Sequence, residues 1–194
     1  MKPKKALLVV DLQNDFCPGG ALAVPEGDKI VPNLNRYIKI FIKKKWPVFA
    51  TRDWHPVKTK HFKSFGGAWP VHCLANTQGA KFHAKLKLPK NAVLLYKGTD
   101  PKKDSYSAFQ AEDLSGMGFA KWLDRLGIKE IYVGGLATDY CVKFSVLDAI
   151  KAGLKARLLL DAVKGVNLKP NDSRNAIQAM VRKGAKKITL KNFS

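Results

Sequence analysis

The chain has 194 residues, enough for one sizeable core, and its 35 Lys and Arg against 15 Asp and Glu give a net charge of +20. No apolar run is long enough to span a bilayer, and Met1-Lys2-Pro3-Lys4-Lys5 leads straight into a strand with no room for a signal peptide, so a cytoplasmic protein without a membrane partner is expected. The three cysteines, Cys17, Cys73 and Cys141, do not make a disulfide framework, and lysines scattered in small groups with few arginines argue against specific nucleic-acid binding.

Residues 6–10, Ala-Leu-Leu-Val-Val, are a continuous apolar run ending at Asp11, the pattern of a strand buried on both faces in a parallel sheet. Residues 12–27, rich in Gly and Pro, read as loop. From Asp28 to about Lys45 a helix is expected, with Ile30, Leu34, Ile38, Phe41 and Ile42 on one stripe and lysines opposite. A second strand over 47–51 ends in Arg52-Asp53-Trp54-His55. Little regular structure is expected before a third strand over 92–96, which ends at Lys97; so long an irregular segment inside a compact domain usually serves function. A helix over 117–126, closed by Gly127, leads to a fourth strand, Ile131-Tyr132-Val133, and then to the loop Gly134-Gly135-Leu136-Ala137-Thr138-Asp139. A helix from Cys141 to Gly153, a strand over 154–160, a helix over 171–183 and a short strand over 187–190 complete the chain. This alternation predicts a three-layer α/β/α fold, one domain over residues 1–194, with a doubly wound, mostly parallel, six-stranded sheet.

In such sheets ligands bind beyond the carboxyl ends of the strands, where Asp11, Asp53, His55, Lys97 and the Cys141 loop all fall. Cys141 is expected at the first turn of a helix capped by Thr138 or Asp139, where free N–H groups and the macrodipole favour a thiolate and can hold an oxyanion. Asp11, Lys97 and Cys141 then form a nucleophilic set: a carboxylate to take the thiol proton, a cation to stabilise the charged forms, and the sulfur. The absence of a histidine beside Cys141 argues against a papain-like pair. Asp53 and His55, with His61 and His72 further on, offer carboxylate and imidazole donors for one divalent metal, zinc first, with manganese or iron as alternatives. The spacing is not that of a zinc finger, so surface loop histidines are the competing reading. His83, among lysines, reads as solvated, and Cys73 as buried and inert.

Together, Asp11-Leu12-Gln13-Asn14-Asp15-Phe16-Cys17-Pro18-Gly19-Gly20, Thr51-Arg52-Asp53-Trp54-His55-Pro56, Trp69-Pro70-Val71-His72-Cys73, Tyr96-Lys97-Gly98-Thr99-Asp100-Pro101, Asp104-Ser105-Tyr106-Ser107-Ala108-Phe109 and Gly135-Leu136-Ala137-Thr138-Asp139-Tyr140-Cys141-Val142 carry a further reading. In this order, over nearly the whole chain, they resemble the nicotinamidases of the isochorismatase-like hydrolase superfamily. The resemblance implies Asp11, Lys97 and Cys141 as catalytic triad and Asp53, His55 and His72 as metal ligands, with His61 matching a ligand used in some members. It implies Phe16 and Trp69 as the walls enclosing a pyridine ring, the N–H groups of Ala137 and Cys141 as an oxyanion hole, and a non-proline cis peptide at Leu136-Ala137. The implied activity is hydrolysis of nicotinamide to nicotinate and ammonia through a Cys141 thioester, in NAD salvage, with pyrazinamide as a side substrate. A monomer or homo-oligomer is compatible with it. The alternatives are a sister amidohydrolase acting on an N-carbamoyl or ureido compound, an isochorismatase, and, outside the class, a basic nucleic-acid-binding protein. A full set of metal donors and Cys141 count against the isochorismate reaction, which needs no acyl-enzyme.

Overall fold

A computed structural model describes residues 4–193. Six parallel strands, β1 (Lys4–Val10), β2 (Val48–Asp53), β3 (Val93–Lys97), β4 (Ile128–Leu136), β5 (Lys155–Lys164) and β6 (Lys186–Ile188), form one sheet in the order β3-β2-β1-β4-β5-β6. β1 lies inside it. Its alternating residues serve two cores: Leu7 and Val9 face one side, Ala6, Leu8 and Val10 the other, and all five are fully buried.

Helix α1 (Val31–Lys43) covers the first face, placing Leu34, Tyr37, Ile38 and Phe41 against Leu7 and Val9. Helices α2 (Phe119–Arg125), α3 (Lys143–Lys151) and α4 (Asp172–Arg182) cover the second through Phe119, Leu123, Val146, Ala149 and Met180. The three-layer, doubly wound expectation holds, and the sheet is parallel throughout. The crossover from β2 to β3 is not a helix but the irregular segment 54–92, whose regular structure is one 3₁₀ turn, Lys63–Phe65; Trp54, Phe82, Leu86 and Leu88 pack it onto the α1 face.

Several boundaries differ from expectation: β5 runs on to Lys164, past the expected end at 160, and two others differ for local reasons. The first turn before α1, Gly27–Ile30, is a tighter 3₁₀ turn, so the α-helix starts three residues after Asp28. β4 runs on through Gly134 and Gly135, which pair with Val9 and Val10 of β1. At Gly135 a side chain would run into the Val10 backbone, and its φ of 126° disfavours any residue with a Cβ. Glycine there permits the close approach that ends β4 beside Asp11. Strand order reverses between β1 and β4, the topological switch point at which a ligand crevice opens.

Candidate active site

Asp11 follows β1 with a φ of 43°, an unusual conformation for a non-glycine residue. Thr51 on the neighbouring β2 holds it: the hydroxyl donates to Asp11 Oδ1 at 2.7 Å and accepts from Asp11 N at 3.2 Å. Lys97, the last residue of β3, reaches inward past β2 with its side chain fully buried. Its Nζ lies 2.9 Å from Asp11 Oδ2, pairs with Asp53 Oδ1, and donates to Ser105 O at 3.3 Å and to Cys141 Sγ at 3.4 Å. Oxygens of Asp11 and Asp53 and the sulfur of Cys141 lie within 4.8 Å of one another. The three residues expected to act together are thus together, with Asp53 added to them.

The charge states follow from this packing. Burial works against the Lys97 ammonium, but Asp11 and Asp53 outweigh it and keep the lysine protonated. Burial raises the pKa of Asp11 while the Lys97 ammonium opposes the rise. At Cys141 burial pushes the thiol well above its ordinary value, Lys97 opposes this, and the nearby carboxylates add to it. The preference for thiolate that a helix start would give is therefore outweighed by burial, and the shift runs toward the thiol, with the Asp11 carboxylate beside it to take the proton. Local geometry explains the difference. Cys141 sits in a π-helical turn, Thr138–Val142, ahead of α3, and is buried. Neither Thr138 nor Asp139 caps that turn; Ala137 holds the position without a side-chain bond. Asp139 instead accepts from Val166 N at 3.0 Å and Asn167 N at 2.7 Å, tying the loop after β5 to the Cys141 loop. The Leu136-Ala137 peptide is cis, in keeping with the resemblance.

Beside this cluster His55, His61 and His72 converge, all buried, with ligand nitrogens within 4.8 Å of one another. Each ring is held through Nδ1, which donates to Gly98 O at 3.1 Å in His55, to Asp104 Oδ1 at 2.6 Å in His61 and to Pro70 O at 2.8 Å in His72. A proton on Nδ1 leaves the Nε2 lone pair free on each ring. Asp53 Oδ2 lies 3.7 Å from His55 Nε2 and 3.9 Å from His72 Nε2. Burial lowers the pKa of His61, and that of His72 to about 4, a direction that disfavours the imidazolium on both rings. Burial alone would raise the pKa of Asp53, yet Lys97 and the imidazoles hold it well below the carboxylate range. His55 Nε2 is buried without a hydrogen-bond partner. An orphaned buried acceptor facing two further imidazoles and a carboxylate oxygen fits a divalent metal. His61 lies in the same three-histidine group, and of the three His55 and His72 approach Asp53 Oδ2 within 4 Å. Surface loop histidines, the competing reading, are not what the structure contains at these three positions. His83 stands apart in a half-buried loop, accepting from Lys85 N at 3.2 Å, and Cys73 is buried, as expected.

A cavity of about 360 Å³, counting its mouth, opens between the two clusters. Phe16, Trp69, Tyr106 and Tyr140 wall it, and Cys141, Ala137, His61 and His72 lie along it, so Phe16 and Trp69 both face the same cavity. Tyr106 and Tyr140 were not anticipated. The Tyr106 hydroxyl accepts from Trp69 Nε1 at 2.9 Å, and Tyr140 meets the Trp69 ring edge-on at a centroid distance of 4.8 Å. Gln13 was also missed: its amide donates to Asp53 O and accepts from Asp53 N, both at 2.8 Å, fixing the backbone that carries the carboxylate.

The chain belongs to the isochorismatase family: residues 5–192 match the Isochorismatase domain. It is 42% identical to the nicotinamidase of Escherichia coli (strain K12) over 98% of this chain and 97% of that protein. It is 36% identical to the nicotinamidase of Acinetobacter baylyi, over 97% and 94% of the two chains. Among solved structures it is similar to the pyrazinamidase of Pyrococcus horikoshii in complex with zinc, at 47% identity and a TM-score of 0.90, over 97% of this chain and 100% of that one.

Proposed function

We propose that the protein is a nicotinamidase, a cysteine amidohydrolase that releases ammonia and nicotinate from nicotinamide. The observation that carries this is the Asp11-Lys97-Cys141 cluster, whose cysteine lines an aromatic slot, next to a set of metal donors. Phe16, Trp69 and Tyr106 present ring faces and edges suited to a flat aromatic substrate, which favours nicotinamide over an N-carbamoyl or ureido compound. The reading takes residues 1–194 as one hydrolase domain, acting in the cytoplasm in NAD salvage and accepting pyrazinamide as a side substrate.

Asp53, His55 and His72, with His61, would hold the metal. Bound there, a divalent ion such as zinc supplies a fixed electrophilic anchor for a donor atom of the substrate or for a water. The covalent steps belong to the other cluster. Asp11 takes the Cys141 proton as the sulfur attacks the carboxamide carbon, and Lys97, 3.4 Å from the sulfur, offsets the negative charge that develops. The N–H groups of Ala137 and Cys141 hold the oxyanion; one such donor is typically worth about 10²–10³-fold in rate. Asp11 returns the proton to the departing nitrogen, ammonia leaves, and a thioester remains on Cys141. Asp11 then accepts a proton from water as its oxygen attacks the thioester carbon. Nicotinate departs, and the proton returns to sulfur.

The test is ammonia release from nicotinamide by the purified chain, before and after chelation and zinc restoration. Activity that falls on chelation and returns with zinc is expected. A chain inactive on nicotinamide but active on an N-carbamoyl amine would overturn the assignment.

A further inference from the structure

We infer that Asp104 is a positioning residue: it sets His61 as a metal ligand and couples metal occupancy to the order of the slot wall. The inference rests on the metal binding proposed above. Three consecutive residues after β3 each brace a different part of the site. The Asp104 carboxylate accepts from His61 Nδ1 at 2.6 Å, the Ser105 carbonyl accepts from Lys97 Nζ at 3.3 Å, and the Tyr106 hydroxyl accepts from Trp69 Nε1 at 2.9 Å. A metal donor, the catalytic cation and a ring wall thus meet one short stretch of backbone.

The need for Asp104 follows from where His61 lies. His55 follows a strand end and is locked by the carbonyl of Gly98 on the adjacent strand's exit, whereas His61 sits within the irregular segment 54–92. No strand aims its ring. The His61 side chain is 3% exposed, while that of Asp104 is 57% exposed, so the carboxylate enters from the solvent side to hold a buried imidazole. A charge-assisted bond of this kind keeps the proton on Nδ1, points Nε2 at His55 and His72, and raises its basicity toward a metal. The backbone of the brace is set separately. Gln110 accepts from Tyr106 N and Ser107 N, both at 3.0 Å, and donates to Asp104 O at 3.3 Å. The Asp104 side chain is then the link between a prepared segment and the metal donors. Linkage requires that what this link gives the metal, the metal gives back to the segment.

The experiment uses the full chain stripped of metal, with zinc affinity measured by competition with a chromogenic chelator. Zinc binding by Asp104→Ala should weaken about 10–100-fold, the range typical for loss of a partner that orients a ligand. Asp104→Asn, whose amide oxygen still accepts from Nδ1–H but without the charge, should fall between the wild type and Asp104→Ala. In a His61→Ala background, Asp104→Ala should cost less than about twofold more, because the two residues act through one bond. Amide hydrogen exchange gives a readout independent of activity: zinc should slow exchange over 98–107 in the wild type and fail to do so in Asp104→Ala. Asp104→Ala binding zinc like the wild type, an undiminished loss in the His61→Ala background, or Asp104→Asn as weak as Asp104→Ala would each overturn the inference. A wild-type chain that binds no zinc overturns the metal reading along with it, and nicotinamide turnover reports separately on the proposed reaction.

Discussion

Lys97 carries the one ammonium between the Asp11 and Asp53 carboxylates, and no water-exposed surface of its side chain screens it. Lys97→Met would leave two buried carboxylates without a counter-charge, a costly arrangement. Because the Lys97 charge lowers the Asp11 pKa against burial, its removal raises that pKa and moves the ionised base to higher pH. The expected outcome is a fall in kcat/KM of about 10²-fold or more at pH 7, with the acid limb of the pH profile displaced upward. An unshifted limb would take Lys97 out of the mechanism. Gly98 serves the neighbouring cluster: with a φ of 70° and the His55 ring where a Cβ would lie, it lets its carbonyl meet His55 Nδ1. Gly98→Ala should weaken zinc binding by about tenfold in a chelator competition while Cys141 keeps its reactivity toward a thiol reagent. Asp11, Asp53, Lys97 and Cys141 were legible because each closes an apolar run on the same edge of the predicted sheet. Asp104, Tyr106 and Gln13 were not, since their partners lie 43, 37 and 40 residues away and none sits at a strand end facing a motif. Helix-terminus arguments for Cys141 see the local turn, whereas its burial, in the core on the α2–α4 side of the sheet, is set by the assembled fold.

Among the elements, those with strong periodicity were read to within about three residues at each end. α1 and α4 each show one buried stripe, and β1 is a run of apolar residues that cannot be placed except inside a sheet. The segment 54–92 has no period, so its path was closed to this reasoning even though its functional character was not. A similar nonperiodic piece precedes α2. There Asp113 accepts from the Ser115 hydroxyl at 2.6 Å, from Met117 N at 3.0 Å and from Trp122 Nε1 at 2.9 Å, organising the turn that starts the helix. The Ser115 bond foremost, and the others with it, bring the Asp113 carboxyl down to about 2. A carboxyl depressed in the folded state adds stability above its unfolded pKa of about 3.9, and that stability is lost as the pH falls through the folded value. Asp113→Asn should therefore melt below the wild type at pH 7, with the gap closing as the pH approaches 2. Calorimetry at the two pH values checks this, and a gap of constant size would show that the charge of Asp113 does not act.

For the whole molecule, the consequence of the strand order is that β1 and β4 send their loops apart at the switch point, while β3 delivers Lys97 from the far side of β2. Cys141, Asp11 and Lys97 therefore come from the ends of three strands that are distant in sequence, and they meet only in the folded sheet. The net charge of +20 has no counterpart inside this site, whose buried Asp11, Asp53 and Lys97 carry more negative than positive charge. No helix of the described residues is long and apolar enough to cross a membrane. In the proposed reaction Cys141 Sγ is the atom that carries the acyl group. The direct measurement is acid-quenched single turnover with enzyme in excess over nicotinamide, followed by peptide mass spectrometry. The account predicts a nicotinoyl group on the Cys141 peptide that rises and decays as nicotinate forms, and Cys141→Ala with less than about a thousandth of wild-type turnover, a barrier increase of ~4 kcal/mol. Nicotinate forming with no modified Cys141 peptide at any quench time, or Cys141→Ala keeping about a tenth of kcat, a change of only ~1.4 kcal/mol, would contradict it.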